Sequence, residues 1–89
     1  MAKIAAFASR LRDHLIQGLE TAGIEAAVDI EHVKGTKLHR VFVIADAFEN
    51  LRPSERQDLV WRIVEQSLTP EEQLQISMIY TVTSAEMPE

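Results

Sequence analysis

The sequence contains no cysteine and few of the residues that interrupt regular structure. Its 89 residues include three glycines, three prolines and one tryptophan. The lack of cysteine excludes disulfides, thiolate metal sites and cysteine nucleophiles. No apolar run is long enough to span a membrane, and Arg10 and Arg12 stand where a secretory signal would continue its apolar stretch. We therefore expect a cytoplasmic protein.

The composition is that of a folded, mildly acidic domain. Hydrophobic residues make up 46% of the chain and charged residues 26%, which argues against disorder. The length fits one domain, with a core over about residues 3–83 and a short tail over 84–89. The net charge of −5 makes non-specific nucleic-acid binding a poor default, although a local basic patch could override that average.

Hydrophobic periodicity predicts six elements of secondary structure. Apolar residues recur at helical spacing before Gly23, and alternation with a period of two follows it. Gly35 marks a turn between two strand patterns, while Pro53 and Pro70 each suit the first turn of a helix. The predicted elements are a helix over residues 3–22, strands over 24–32 and 38–45, a helix over 53–68, a helical turn over 70–74 and a strand over 76–83.

This order predicts an α+β fold, a two-layer αββα(α)β arrangement with a three-stranded mixed sheet and the helices packed on one face. The two strands around Gly35 are close enough in the chain to form an antiparallel hairpin. The third strand follows a long helical crossover, which usually joins parallel strands. The continuous apolar run over residues 41–45 indicates that the second strand is the most buried, and we expect it to be central.

The start of the second main helix carries two polar residues where apolar ones are expected. Arg56 and Gln57 fall on or near the apolar arc of this helix, where polar groups are costly unless they are paired. Either this turn overhangs the core, or it forms part of a partner-binding surface. Ser54 and Gln57 also have the spacing of a capping box. Trp61, near the edge of the arc, is interpreted as partly packed against the core.

Three short segments, in order, resemble the BolA family. The stretch VIADAFENL over residues 43–51 resembles the family's second strand and exit loop, usually VVSDxFEG. The stretch RQDLVW over 56–61 lies where the family carries its RHRLV signature, and VTSAEM over 82–87 resembles the closing LTPEEW. The resemblance extends from about Leu11 to Met87, with about two additional residues between the second main helix and the last strand.

The resemblance implies a fold like that of class II KH domains and association with monothiol glutaredoxins through a shared [2Fe–2S] cluster. It implies DNA binding and transcriptional control in some members. The sequence departs from the family at the signature histidine, a proposed cluster ligand, which is Gln57 here. A neutral amide is a poor ligand for cluster iron. Asn50 replaces the usual glycine of the exit loop, a mild change because asparagine also adopts left-handed conformations.

Histidines are the remaining metal-ligand candidates, and they show no HxH or HExxH spacing. His32 lies beside the hairpin loop, where many BolA-like proteins carry a second histidine or cysteine ligand. We expect His32 to be a metal ligand only if other groups converge on it in three dimensions. The alternative for His14, His32 and His39 is an ordinary solvated or hydrogen-bonded side chain.

The hairpin is the only locally basic segment. Residues 32–40 include Lys34, Lys37 and Arg40 and no acid, so this segment could contact phosphate. Against nucleic-acid binding, the sequence lacks the GxxG loop of KH domains and any aromatic strand of the RNP type. A solvated hairpin is the simpler interpretation.

These observations favour a non-enzymatic, cytoplasmic, BolA-like adaptor or regulator. No serine lies in a nucleophile motif, and no glycine-rich loop could hold a phosphate. We expect a monothiol glutaredoxin-like partner, no intrinsic cofactor, and at most a [2Fe–2S] cluster shared with that partner. The alternative is a nucleic-acid-binding transcriptional regulator that uses the basic hairpin. The expected partner surface comprises His32, Lys34, Lys37, Arg40, Arg56 and Gln57.

Overall fold

A computed structural model describes residues 2–86, with side chains from residue 6 onward, and has the predicted order of elements. The predicted tail extends to residue 89 and the match to the closing LTPEEW segment to residue 87; residues 87–89 lie outside the described residues. The described helices contain no segment long and apolar enough to cross a membrane. The elements are α1 (Ala2–Thr21), β1 (Ala27–His32), β2 (His39–Ile44), the 3-10 helix Asp46–Asn50, α2 (Pro53–Ser67), α3 (Pro70–Gln73), β3 (Ile76–Val82) and the 3-10 turn Ser84–Glu86.

The three strands form one mixed sheet in the order β1-β2-β3. β2 is central, as predicted: it pairs antiparallel with β1 and parallel with β3. The strands alternate between two faces. The inner face carries Val41 and Val43, which have no exposed surface, and it packs against the helices. The outer face carries Phe42 and Tyr80, whose rings stack with centroids 4.8 Å apart.

The helices cover the inner face with the apolar stripes predicted from the sequence. Leu11, Leu15 and Leu19 of α1 are fully buried, and so are Val60 and Val64 of α2. Side chains at these spacings lie on one side of a helix, so each helix adds a continuous row to the core. α1 ends at Thr21, just before the predicted stop signal Gly23, which has a φ of +80°.

Strand β1 is shorter than predicted. Alternation indicated a strand from residue 24, but β1 begins at Ala27, which pairs with Ile44 at the end of β2. The next residue of the central strand, Ala45, donates its backbone N–H to Val82 O at 2.9 Å, toward β3. The next residue that would face β1, Asp46, already belongs to the 3-10 helix, so the ladder with β1 ends at Ala27. Ile24 and Ala26 keep the alternation because they pack against the core.

The predicted capping box of Ser54 and Gln57 is wrong. The cap of α2 lies two residues earlier in the chain, at Arg52 and Glu55: the Glu55 carboxylate accepts the backbone N–H of Arg52 at 2.9 Å. The Gln57 amide points to β3 instead. A side chain one turn into a helix can reach either its own N-terminus or a neighbouring strand, and here the buried strand carbonyls are the partners.

Candidate functional site

The end of the β1–β2 hairpin holds His32 in a defined position. His32 is the last residue of β1, is exposed, and its Nε2 lies 2.6 Å from the carbonyl oxygen of Thr36. The Thr36 hydroxyl donates to Val33 O at 2.8 Å and accepts the N–H of Leu38 at 3.0 Å. Because a carbonyl only accepts, the Nε2 of His32 carries the proton. In the neutral ring, the lone pair that could bind a metal is then on Nδ1.

Behind His32 lies a second imidazole, that of His39, which is 1% exposed. Its ring centroid is 5.2 Å from that of His32 and 5.1 Å from that of Phe7. Its Nδ1 lies 3.4 Å from the backbone oxygen of Gln75, while its Nε2 is buried and has no hydrogen-bond partner among the described residues. Buried polar atoms are usually paired, so this nitrogen is an exception.

The cations of the hairpin are not equivalent. Lys34 and Lys37 are exposed and form no ion pair among the described residues. Arg40 lies on the outer face of the sheet, where its guanidinium is 2.7 Å from the carboxylate of Glu31. The basic surface predicted for residues 32–40 therefore has two free cations rather than three.

Arg56 is 7% exposed and binds the ends of several elements. Its Nε donates to the carbonyl oxygens of Phe48 at 2.8 Å and Leu51 at 3.1 Å. One terminal nitrogen donates to Thr81 O at 3.2 Å and to a carboxylate oxygen of Glu86 at 2.8 Å. All of these partners belong to the chain itself, so Arg56 joins the exit loop, α2, β3 and the last described turn.

The side chain of Gln57 also forms hydrogen bonds within the chain at both ends of its amide. Its amide nitrogen donates to Ile79 O at 2.8 Å and to the Thr81 hydroxyl at 3.2 Å. Its amide oxygen accepts the indole N–H of Trp61 at 3.1 Å. Trp61 packs against the core, as the sequence indicated, and is half-buried. Gln57, which aligns with the family's signature histidine in the sequence resemblance, therefore joins α2 to β3.

Arg56 and Gln57 together close the outer edge of β3. Val82 O faces β2, so alternation directs the backbone groups of Ile79 and Thr81 away from β2, toward the free edge. Gln57 and Arg56 bind the carbonyls at these two positions. We call this side the capped edge: the β3 edge with Arg56, Gln57 and Glu86 bound along it.

Glu86 completes the capped edge. Its carboxylate accepts the backbone N–H of Thr83 at 2.9 Å and pairs with Arg56. The Thr83 amide and then the Arg56 guanidinium lower the pKa of Glu86 below its ordinary value of 4.5, because both favour the charged form. No motif linked Arg56 to Glu86 in advance, since the two residues are 30 positions apart.

The residues of the expected partner surface form two separate groups. The hairpin end lies beside His39 at the start of β2, whereas Arg56 binds Thr81, whose register partner is Val43. Four residues of strand separate these positions by about 13 Å. His32 is on β1 and Gln57 binds β3, two strand spacings or about 10 Å apart across the sheet. His32, Lys34 and Lys37 remain together, while Arg56 and Gln57 belong to the capped edge.

The hairpin end fits a metal centre only in part. Among residues 2–86, no three side chains of His, Cys, Asp or Glu are grouped so that they could hold a metal ion. Gln57 does not fit, because both ends of its amide are occupied. His32 can supply one imidazole, so any other ligands would have to come from a partner.

The alternation of the second strand predicts a buried position for His39, although histidine is not a typical core residue. His39 is in phase with Val41 and Val43, which places all three on the inner face. The contact between His39 and His32 follows from the register, which pairs them directly across β1 and β2.

Comparison with known proteins yields a structural match. No protein-family model matches the sequence, and a search of curated proteins gave no match. Among solved structures, BolA1 from Arabidopsis thaliana is similar to this chain with a TM-score of 0.65 and 24% sequence identity, covering 92% of this chain and 96% of that one. The αββα(α)β order, the mixed sheet and this match agree with the fold implied by the sequence resemblance. The chain has a BolA-like fold.

Proposed function

We propose that this protein is a non-enzymatic, cytoplasmic adaptor or regulator of the BolA type that binds a monothiol glutaredoxin-like partner at its hairpin end. The observation that carries the proposal is an exposed imidazole, His32, held in place beside a buried one whose Nε2 lacks a partner among the described residues. The BolA-like fold supports the BolA type of protein, and the glutaredoxin-like partner is what the sequence resemblance implies.

The chemistry of the hairpin end supports a role for His32 as a cluster ligand. Imidazole nitrogen is an accepted ligand of cluster iron, and Nδ1 of His32 is not used by the hairpin. A shared [2Fe–2S] cluster, when bound, would supply a redox-active and transferable group, with His32 as the ligand from this chain. Lys34 and Lys37 follow His32 in the hairpin loop, are exposed, and favour a partner surface with acidic character.

The test combines the purified protein with a cluster-loaded monothiol glutaredoxin, followed by visible absorption, circular dichroism and size-exclusion chromatography. We expect a complex and an altered cluster spectrum with the unmodified protein. His32→Ala should remove the spectral change, whereas His14→Ala, an exposed histidine on α1, should leave it intact. The absence of both a complex and a spectral change would exclude the glutaredoxin proposal.

A variant at Gln57, the position of the family's signature histidine, tests whether the cluster binds at His32 or at the capped edge. Gln57→His would place an imidazole at the capped edge, about 10 Å from His32 across the sheet. It should therefore fail to add a second ligand to a centre at His32. A cluster spectrum that responds to Gln57→His and not to His32→Ala would move the partner site to the capped edge.

Nucleic-acid binding through Lys34 and Lys37 is the alternative function. With Arg40 paired to Glu31, two free cations predict a slope no steeper than about −2 when the logarithm of the affinity for duplex DNA is plotted against that of the salt concentration. A salt series with Lys34→Gln and Lys37→Gln as a double variant measures this. Submillimolar binding at low salt that the double variant abolishes would favour this alternative over the glutaredoxin proposal.

A further inference from the structure

The two edges of the sheet differ in how their outward backbone groups are hydrogen-bonded. On the β1 side, Val33 N–H donates to Leu38 O at 2.9 Å, which makes these residues a hydrogen-bonded pair. Such pairs alternate along an antiparallel ladder, so Glu31 and Asp29 also face β2 with their backbone groups. The backbone N–H and C=O of Val28, Ile30 and His32 then point outward.

These outward groups form an open edge. The backbone groups of Val28, Ile30 and His32 make no hydrogen bond with any described side chain (residues 6–86) or with any loop of residues 2–86. At the opposite side of the sheet, the capped edge, the carbonyls of Ile79 and Thr81 accept hydrogen bonds from Gln57 and Arg56. A row of unpaired backbone groups is a template for another strand, and proteins commonly block such rows. Here one edge is blocked and the other is available.

The side chains along the open edge have a definite chemistry. On the inner side, Val28 and Ile30 are half-buried and extend the apolar core to the edge. On the outer side stand Asp29 and Glu31, both exposed. Glu31 is paired with Arg40, while Asp29 makes no ion pair among the described residues. A strand added here would meet apolar side chains on one face and acidic ones on the other.

We propose that the β1 edge is a docking site for an extended partner segment in which apolar and basic residues alternate. Main-chain hydrogen bonds to Val28, Ile30 and His32 would provide affinity, since added strands bind in this way. Basic side chains facing Asp29 and Glu31 would provide selectivity, because opposite charges on neighbouring strands attract and like charges repel. This proposal does not rest on glutaredoxin binding at the hairpin end, although the backbone of His32 belongs to this edge and its imidazole to the hairpin end.

A second copy of the chain fits the edge less well than a basic segment does. Two β1 strands related by a twofold axis would run antiparallel, with the acidic outer side of one beside the acidic outer side of the other. Like charges on neighbouring strands are destabilising. The acidic side therefore disfavours self-pairing and selects the opposite charge.

The experiment uses a blocked seven-residue peptide of alternating lysine and valine, and a glutamate–valine peptide of the same pattern. Binding is followed by NMR shifts and by hydrogen exchange of the backbone amides. We expect the lysine peptide to protect the amides of Val28, Ile30 and His32 and to bind at least about tenfold more tightly than the glutamate peptide. N-methylation of the lysine peptide along one side should abolish binding, because it removes the main-chain donors.

A charge reversal separates edge pairing from general attraction. Asp29→Lys should weaken binding of the lysine peptide by about fivefold and improve that of the glutamate peptide. Asp58→Lys, the same change on an exposed acid of α2, should leave both affinities nearly unchanged. Equal binding of the two peptides, or no effect on the β1 amides at millimolar lysine peptide, would overturn the proposal. Self-association that protects the same amides would overturn it as well and would assign the edge to a second copy.

Discussion

Arg56 shows how a single side chain can bind several elements of a small fold together. Among the described residues, Arg56 is the arginine or lysine whose side chain is buried. It donates hydrogen bonds to three backbone carbonyls and to the carboxylate of Glu86. Its guanidinium also lies 5.8 Å from the centroid of the Phe48 ring. The planar group, with five N–H donors, suits this set of acceptors, and a lysine would not.

Removing the guanidinium should therefore destabilise the protein strongly. Arg56→Met keeps much of the apolar stem but removes the side-chain donor of the Leu51 and Thr81 carbonyls and one of the two donors of the Phe48 carbonyl, which retains the Leu51 N–H. We expect a loss of about 3 kcal/mol in the free energy of unfolding, measured by urea denaturation.

Arg62→Met is the matched control for this change, because Arg62 is an exposed arginine on the same helix. It should change the unfolding free energy by less than about 0.5 kcal/mol. Arg56→Lys should recover only part of the loss. Equal stabilities of Arg56→Met and Arg62→Met would show that the carbonyl contacts of Arg56 contribute nothing.

At the scale of elements, the close approach of α1 and α2 depends on one glycine. A Cβ built on Gly18 would lie 2.7 Å from Cγ2 and 3.1 Å from Cδ1 of Ile63. These separations are shorter than carbon–carbon van der Waals contact. Gly18 is thus needed for space between the helices, although a helix interior normally favours alanine over glycine.

Gly18→Ala should lower the stability in the natural background by about 1 kcal/mol, because overpacking outweighs the better helix propensity of alanine. In an Ile63→Ala background, the same change should raise the stability by up to about 1 kcal/mol, since the obstructing atoms are gone. Unfolding curves of the four proteins in this double-mutant cycle give both signs. The same sign in both backgrounds would contradict a steric role for Ile63.

The elements themselves were predictable because their signals are local. Pro53 and Pro70 begin α2 and α3 as the sequence indicates, and Gly23 follows α1. The apolar run of residues 41–45 correctly identified the central strand. The roles of Arg56 and Gln57 were not predictable in the same way. Their partners in β3 and at Glu86 lie 22 to 30 positions away in the sequence. The register of β3 against β2 decides which β3 carbonyls these two side chains of α2 can reach.

Over the whole molecule, two ion pairs connect parts of the chain that are far apart in sequence. Arg10 of α1 pairs with Glu72 of α3 at 2.7 Å, and Arg56 of α2 pairs with Glu86 after β3 at 2.8 Å. The backbone N–H of Thr69 and then Arg10 lower the pKa of Glu72, as Thr83 and Arg56 lower that of Glu86. Both carboxylates also accept a backbone amide, so each acts as a cap and as an ionic link.

These shifts predict how stability depends on pH. Each folded pKa lies below the ordinary value of 4.5, so the unfolded chain binds more protons as the solution becomes acidic. The stabilisation is present above about pH 4.5 and is lost as the pH falls through the lowered folded values. Urea midpoints measured between about pH 6 and pH 2 should show this loss.

The double variant Glu72→Gln and Glu86→Gln should flatten that acidic part of the profile. A control with Glu65→Gln and Glu71→Gln alters two exposed acids whose side chains make no hydrogen bond among the described residues. This control should retain the slope of the unmodified protein. An unchanged slope in the Glu72 and Glu86 variant would mean that other groups cause the acid sensitivity.

The parallel pairing of β2 with β3 also has a consequence for the kinetics of folding. The β1–β2 hairpin brings together residues joined by a short turn, whereas β3 meets β2 across about 38 positions of chain. Closing the longer loop costs more entropy before any contact compensates for it, and parallel pairing through a crossover is intrinsically slow. We therefore expect the hairpin and the helices to form early, and the docking of β3, with Arg56 and Gln57 binding its edge, to limit the rate of folding. On this expectation, the capped edge forms only after β3 has docked against β2.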